Sequence, residues 1–126
     1  MSMAPDPNAL RRDRPSDPAW TQLVPRAADA PVPDWPLTEA SPRELELWAR
    51  EWQRPQADQW IANDEAQGVA LFVRLLAQGE KPGAPVTIHK YLREWRHELG
   101  ISANGAATRR WKMPDRSPGF CASPVM

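Results

Sequence analysis

Cysteine is almost missing from this sequence, because Cys121 is the only one among its 126 residues and no intrachain disulfide can form. A protein without disulfides suits a reducing compartment. Long apolar runs are missing too: the longest, at 69–77, is interrupted by Arg74 and falls far short of the roughly 20 residues that span a membrane. The N-terminus also lacks the apolar stretch of a signal peptide. We therefore expect a soluble, cytoplasmic protein that has no membrane partner.

The residue types that carry catalysis are sparse. His89 and His97 are the only histidines, and they lie in one predicted helix without the cysteine cluster or His-Glu-x-x-His pattern of a metal site. The six glycines are scattered, so no glycine-rich loop can hold a phosphate. No nucleophile motif frames a serine. These absences predict a protein that is not an enzyme and uses no metal or cofactor.

Proline is abundant and unevenly placed. Of the 15 prolines, nine lie between Pro5 and Pro42, and none lies between Val86 and Met113. Proline disfavours helix and sheet alike, and this stretch has little to bury. We predict a disordered or extended arm at 1–34, a helical domain at 35–112 and a short flexible tail at 113–126.

Apolar residues at helical spacing fill the middle of the chain. Ser41, Pro42 and Glu44 predict a capped helix start, and Gly79 and Gly100 predict helix ends. Gly105 should weaken the last helix by about 1 kcal/mol relative to alanine. The fold class is therefore all-α, a small bundle of about four helices, with predicted helical segments at 42–54, 56–61, 63–78, 86–99 and 102–112.

The helix predicted at 63–78 has apolar residues on two faces, which is typical of a central helix or of one buried between subunits. A core of roughly 80 residues lies near the lower limit for independent stability, so partner chains are expected to add burial. The predicted oligomer interface consists of Val69, Leu71, Phe72, Leu75 and Leu76.

Positive charge collects in the second half of the chain. Residues 1–65 carry 7 basic and 12 acidic side chains, a balance of −5, whereas residues 66–126 carry 9 and 4, a balance of +5. Such asymmetry indicates a surface for nucleic acid or for an acidic partner. The residues expected to contact DNA are Lys90, Arg93, Arg96, Arg109, Arg110 and Lys112.

Tryptophan supplies seven of the ten aromatic residues. Most of them lie at core-facing spacings and are expected to pack. Trp111 stands between cations, so it either folds onto the core or meets phosphate beside them. The segment LGIS at 99–102, followed by the cations at 109–112, is similar to the turn and second helix of a helix-turn-helix unit. Arg96, Ala106 and Arg109 depart from that pattern, because small or bulky apolar residues usually stand there.

Taken in order, these segments resemble the small terminase subunit of phages that infect actinobacteria. The resemblance covers about residues 32–112. It rests on VPDWPL at 32–37, ELELW at 44–48, WQRPQA at 52–57, Trp60, VALFVR at 69–74, LGIS at 99–102 and RRW at 109–111.

The resemblance implies a role in packaging viral DNA in the host cytoplasm. Small terminase subunits recognise the DNA, assemble into homo-oligomeric rings and recruit the large subunit, which carries the ATPase and nuclease. The residues leave two alternatives open. One is a small helix-turn-helix regulator that binds an operator as a dimer. The other is an interaction scaffold whose basic end grips an acidic protein.

Overall fold

The protein is described here from a computed structural model, which covers residues 19–114. It confirms the all-α class, since the described chain is a small helical bundle with one short pair of parallel strands. The prolines and arginines of 1–18, and the tail from 115 onward, lie outside the described residues. The elements are β1 (Thr21–Gln22), α1 (Pro42–Glu51), α2 (Ala57–Ala62), α3 (Ala66–Gly79), α4 (Val86–Glu98), α5 (Ala103–Thr108) and β2 (Trp111–Lys112).

The first long helix, α1, begins as the sequence predicts. The Ser41 hydroxyl accepts a hydrogen bond from the Glu44 backbone N–H at 3.1 Å, and the Glu44 carboxylate accepts one from the Ser41 N–H at 2.8 Å. Pro42 takes the first helical position, where its missing N–H costs nothing. This capping box fixes where α1 starts.

The helix α3 begins later than the helical segment predicted at 63–78. Asp64 adopts a positive φ of 57° in the turn after α2, and the helix begins two residues later at Ala66. Glu65 precedes the helix but makes no side-chain cap. Its carboxylate instead receives two hydrogen bonds from Arg109, which lies 44 residues away in sequence.

A chain of four indoles forms the middle of the core. Neighbouring ring centroids are 5.2, 5.2 and 5.5 Å apart and the rings meet edge to face, a favourable aromatic geometry. Three of the four are almost completely buried. This confirms the prediction that tryptophans form the core, and it ties α1 to α2. The rings, in order, are Trp35, Trp48, Trp52 and Trp60.

The second half of the predicted N-terminal arm is extended, as expected, but it is packed onto the domain. Thr21 and Gln22 pair in parallel with Trp111 and Lys112, and Leu23 is 3% exposed. The Arg26 guanidinium donates to the Trp52 carbonyl at 2.7 Å. The folded unit therefore includes residues before 35.

The last helix, α5, ends earlier than predicted. It stops at Thr108 rather than near Lys112, and Arg110 takes a positive φ of 60° before β2 begins. The backbone of Trp111 and Lys112, which the sequence assigned to the helix, pairs instead with β1. A parallel pair between segments 90 residues apart leaves no local signal in so short a stretch.

Candidate nucleic-acid interface

The corner between α4 and α5 is held by three local features, the first of which is the helix end predicted at Gly100. Gly100 takes a positive φ of 74°, which glycine adopts without strain. The Ile101 N–H reaches back to the Arg96 carbonyl at 2.8 Å. Ser102 caps α5 by accepting from the Gly105 N–H at 3.0 Å. The two helices therefore meet at a fixed turn rather than through a loose linker.

The α2 region braces this turn from inside the core. The buried Gln56 amide donates to the Gly100 carbonyl at 3.0 Å, and the Trp60 indole donates to the Leu99 carbonyl at 2.8 Å. Both carbonyls lie at the end of α4 and would otherwise lack a helical partner. Two side chains that lie about 40 positions earlier in the sequence thus hold the corner in place.

A groove of about 740 Å³ opens beside the corner, and we call it the basic groove. The end of α3, one flank of α4 and the first residues of α5 form its walls. Arg93 and Arg96 are exposed on α4 and form no ion pair with any described residue. Besides Glu80, the polar side chains that line it are His89, Arg93, Arg96, His97, Ser102 and Asn104.

Glu80 is the one carboxylate that lines the basic groove among the described residues, and it is already neutralised. Arg43 donates to both of its oxygens, at 2.6 and 2.9 Å. These hydrogen bonds hold the pKa of Glu80 below its ordinary value. The cations on the α4 flank therefore keep their positive potential for an anionic partner.

Lys90 is exposed on α4, one turn before Arg93, but it does not line the basic groove. It too forms no ion pair with a described residue. The groove thus brings together Arg93 and Arg96, two of the six predicted DNA-contacting residues. It adds His89, His97 and Asn104, which the sequence analysis did not select. The helical spacing of His89, Arg93 and Arg96 was the available signal.

Among the six predicted DNA-contacting residues, Arg109 is the one that forms an ion pair with a described residue. Its guanidinium forms a two-pronged ion pair with Glu65 and also donates to the Glu98 carbonyl at 2.9 Å. It lies 4.7 Å from the centre of the Trp111 ring, within cation–π range. Because these contacts already engage its guanidinium, Arg109 is less available to phosphate than the exposed cations of α4.

Trp111 folds onto the core, which settles the choice left open by the sequence. It is 6% exposed and packs over Gly100, where any side chain would collide with the indole ring. Arg110 and Lys112, its neighbours, are partly buried. Neither lines the basic groove; Lys112 instead borders a smaller apolar depression beside Trp20 and α5.

The five predicted interface residues of α3 divide between the inside and the outside of the chain. Val69 and Phe72 are fully buried against the chain's own helices, so their side chains are not available to a second subunit in this structure. Leu71 is 42% exposed. Leu75 and Leu76 are half-buried, and Leu76 borders the basic groove.

The opposite flank of α4 faces a second groove, of about 340 Å³, which we call the aromatic groove. It is lined by Glu65, Gly68, Tyr91, Glu94, Trp95 and Glu98. It continues past Tyr91 and Trp95 into a depression of about 330 Å³ bordered by Leu71 and Leu75. Helix α4 thus places Arg93 and Arg96 on the flank that faces the basic groove, and Glu94 and Glu98 on the flank that faces the aromatic groove.

Other kinds of site find no support in the described residues. No three histidine, cysteine or acidic side chains in residues 19–114 approach closely enough to hold a metal ion. Each helix in that range is too short or too polar to cross a bilayer. No family model, curated protein or solved structure matches this chain.

Proposed function

We propose that this chain is a non-catalytic DNA-binding adaptor of the terminase small subunit kind. The observation that carries the proposal is the pair of exposed, unpaired arginines on α4, Arg93 and Arg96, which line the groove beside a braced helical corner. Lys90 adds a third exposed cation on the same helix. Phosphate contacts by lysine and arginine supply most of the affinity of proteins for DNA. Fixed cations at a groove suit that role.

Two features support DNA over an acidic protein as the partner. The hydroxyl of Ser102 and the amide of Asn104 lie in the same groove as the arginines, and such groups contact phosphate and base edges. The turn from α4 to α5 also has the order of a helix-turn-helix unit. However, α5 has only six residues. The proposal therefore rests on phosphate contacts and not on recognition of the DNA base sequence by α5.

The wider role rests on the resemblance of residues 32–112 to small terminase subunits. In that role the chain assembles as a homo-oligomer, a ring in that family, binds viral DNA and recruits the large subunit that performs cleavage and translocation. The exposed Leu71 and half-buried Leu75 are the members of the predicted interface that face outward. Light scattering on the intact chain distinguishes this assembly from the dimer expected of a helix-turn-helix regulator.

The DNA surface is tested by fluorescence anisotropy with labelled duplex DNA over a series of salt concentrations. Arg93→Gln/Arg96→Gln should weaken binding and reduce the slope of log K against log salt by about 2, since each lost phosphate contact contributes about 0.9. Arg110→Gln/Lys112→Gln removes the same charge outside the basic groove and should change the slope less. Arg50→Gln, on the exposed side of α1, is the control for a change of net charge.

Two outcomes would contradict the proposal. If the α4 double variant keeps the wild-type slope while the Arg110/Lys112 variant loses it, DNA lies against β2 and not in the basic groove. If the wild-type chain shows no binding even at low salt, the scaffold alternative is favoured.

A further inference from the structure

The aromatic groove carries an inference that does not depend on DNA binding. Its floor is apolar and partly open to solvent: Tyr91 is 51% exposed and Leu71 is 42% exposed, while Trp95 is half-buried between them. A continuous exposed apolar surface of this kind, in a small domain, usually marks a binding site. The question is which partner covers it.

The charges at the rim limit the possible partners. Two cations border the groove, but Arg109 is paired with Glu65 and Arg74 is paired with Glu44. Glu94 and Glu98 remain exposed and form no ion pair within residues 19–114. The net potential of the groove is therefore negative. DNA is excluded by repulsion, and a symmetric contact with the same face of a second copy would bring four carboxylates together.

A cationic polypeptide fits these features, and arginine fits them better than lysine. A guanidinium stacks on the faces of tyrosine and tryptophan and forms paired hydrogen bonds with carboxylates. One segment of this chain has that chemistry: Leu10 is followed by Arg11, Arg12 and Arg14. Leu10 adds an apolar side chain that suits Leu71.

The attachment point of that segment lies near the groove. Residues 1–18 lead into β1, where the Thr21 N–H donates to the Arg110 carbonyl at 2.8 Å. The residue before Arg110 in the chain, Arg109, borders the aromatic groove. Arg14 is five residues before Ala19 and can reach about 18 Å from it, and Leu10 can reach about 30 Å. We propose that the arginine segment, Leu10–Arg14, docks in the aromatic groove and pairs with Glu94 and Glu98.

The segment is supplied by the same chain, because its tether to β1 gives it a high effective concentration at its own groove. Light scattering tests this assignment, and an unchanged mass on mutation of the arginines is the expected result. A mass that falls on mutation of the arginines would instead show exchange of the segment between copies.

The test uses a fluorescein-labelled peptide of residues 8–18 and anisotropy. The receptor is the full chain carrying Arg11→Gln/Arg12→Gln/Arg14→Gln, in which its own segment no longer competes. We expect the peptide to bind this variant more tightly than the wild type, because the tethered segment has a high effective concentration. Adding Glu94→Gln/Glu98→Gln to the receptor should weaken binding roughly tenfold.

Matched controls make the result specific. Asp29→Asn/Asp34→Asn removes two exposed carboxylates that do not line the groove, and it should leave peptide binding unchanged. A peptide with glutamine at its three arginines should not bind. All four substituted carboxylates are exposed, so circular dichroism should report the wild-type fold for each receptor.

The proposal is wrong if the peptide binds equally well with and without Glu94 and Glu98, or does not bind. It is also wrong if Glu94→Gln/Glu98→Gln lowers the mass of an assembly while the arginine variant and the peptide have no effect. That result would assign the groove to the basic flank of another copy. None of these outcomes alters the DNA measurement, which probes the opposite flank of α4.

Discussion

At the scale of single residues, Gly105 reverses an expectation based on helix propensity. A glycine inside a helix is less stable than alanine, by about 1 kcal/mol. Here α5 crosses the end of α4 so closely that a β-carbon at position 105 would overlap the backbone of His97. Because the obstacle is main chain, it cannot rotate away. The close crossing therefore requires the glycine.

Gly105→Ala should accordingly lower the free energy of unfolding, by about 1–3 kcal/mol, the usual cost of forcing an extra methyl into a packed site. Urea denaturation measures the change. Gly68→Ala is the matched control, since its β-carbon would meet only the side chains of Trp95, at 3.4 Å, and Leu99, at 3.9 Å. It should be neutral or stabilising by up to about 1 kcal/mol. If Gly105→Ala were as stable as the wild type, the corner would have to be more open than described.

The residues that the sequence identified correctly are those whose role is local. Ser41 caps α1 as predicted, and Gly100 ends α4 as predicted, in a left-handed conformation. The roles of Arg109 and Trp111 could not be read in the same way. Both depend on contacts with residues far away in sequence, Glu65 in one case and Gly100 in the other, and neither spacing nor composition reveals such contacts.

At the scale of elements, α1 and α3 are joined by a charged contact that couples stability to pH. Arg74 on α3 donates to the Glu44 carboxylate from Nε at 2.7 Å, and to the Thr38 and Glu39 carbonyls. The hydrogen bond from Arg74 lowers the pKa of Glu44 below its ordinary value. Glu44 and Arg74 thus connect the start of α1, the helix α3 and the loop that precedes α1 in one hydrogen-bond network.

This network should make the domain less stable in acid. A carboxyl whose pKa is lowered by folding contributes stability at pH values above its unfolded pKa, near 4.5, and the contribution disappears as the pH falls through the folded value. Glu80, whose pKa Arg43 lowers, acts in the same direction. The free energy of unfolding should therefore decrease as the pH is reduced from about 5.

Glu44→Gln isolates this contribution. Glutamine still serves in a capping box, but it cannot form the ion pair with Arg74. We expect a loss of about 1–3 kcal/mol at pH 7 and a smaller difference from the wild type at pH 3, measured by urea denaturation. Glu39→Gln, an exposed carboxylate of the same loop, should have little effect at either pH. A constant difference across this pH range would show that the loss has another cause.

Helix positions were largely predictable, while their ends depended on distant partners. α1, α2 and α4 lie where apolar spacing placed them. The end of α5 was misplaced because the pattern beyond Thr108 is compatible with helix, and only pairing with β1 converts it to strand. The basic flank of α4 followed from spacing. The aromatic groove did not, since it needs the relative position of α3 and α4.

At the scale of the whole molecule, the segment before α1 closes the bundle. Arg26 illustrates this: it bonds to the Trp52 and Pro31 carbonyls and pairs with Asp58. The Trp48 indole likewise donates to the Pro33 carbonyl at 2.8 Å. Composition predicted a disordered or extended arm because prolines dominate it. Its apolar residues are few, and among them Leu23 is buried in the core.

A pair of neighbouring residues tests whether this segment stabilises the fold. Leu23 is 3% exposed and belongs to the core, whereas Val24, the next residue, is 58% exposed. Leu23→Ala should cost about 2–5 kcal/mol, as for other buried leucines. In a domain of this size each kcal/mol lowers the melting temperature by about 4–8 °C. The expected decrease is thus at least about 8 °C.

Val24→Ala, made in the same background, should shift the melting temperature by no more than a few degrees, because surface substitutions usually stay within about 0.5 kcal/mol. Thermal denaturation followed by circular dichroism at 222 nm compares the two directly. Equal melting temperatures would mean that β1 and Leu23 leave the domain before it unfolds, and that the helical bundle is stable without them. A large difference would instead make residues from Thr21 onward part of the cooperative unit. Any change that frees this segment would then weaken the α4–α5 corner, because β2 pairs with β1 and leads directly from α5.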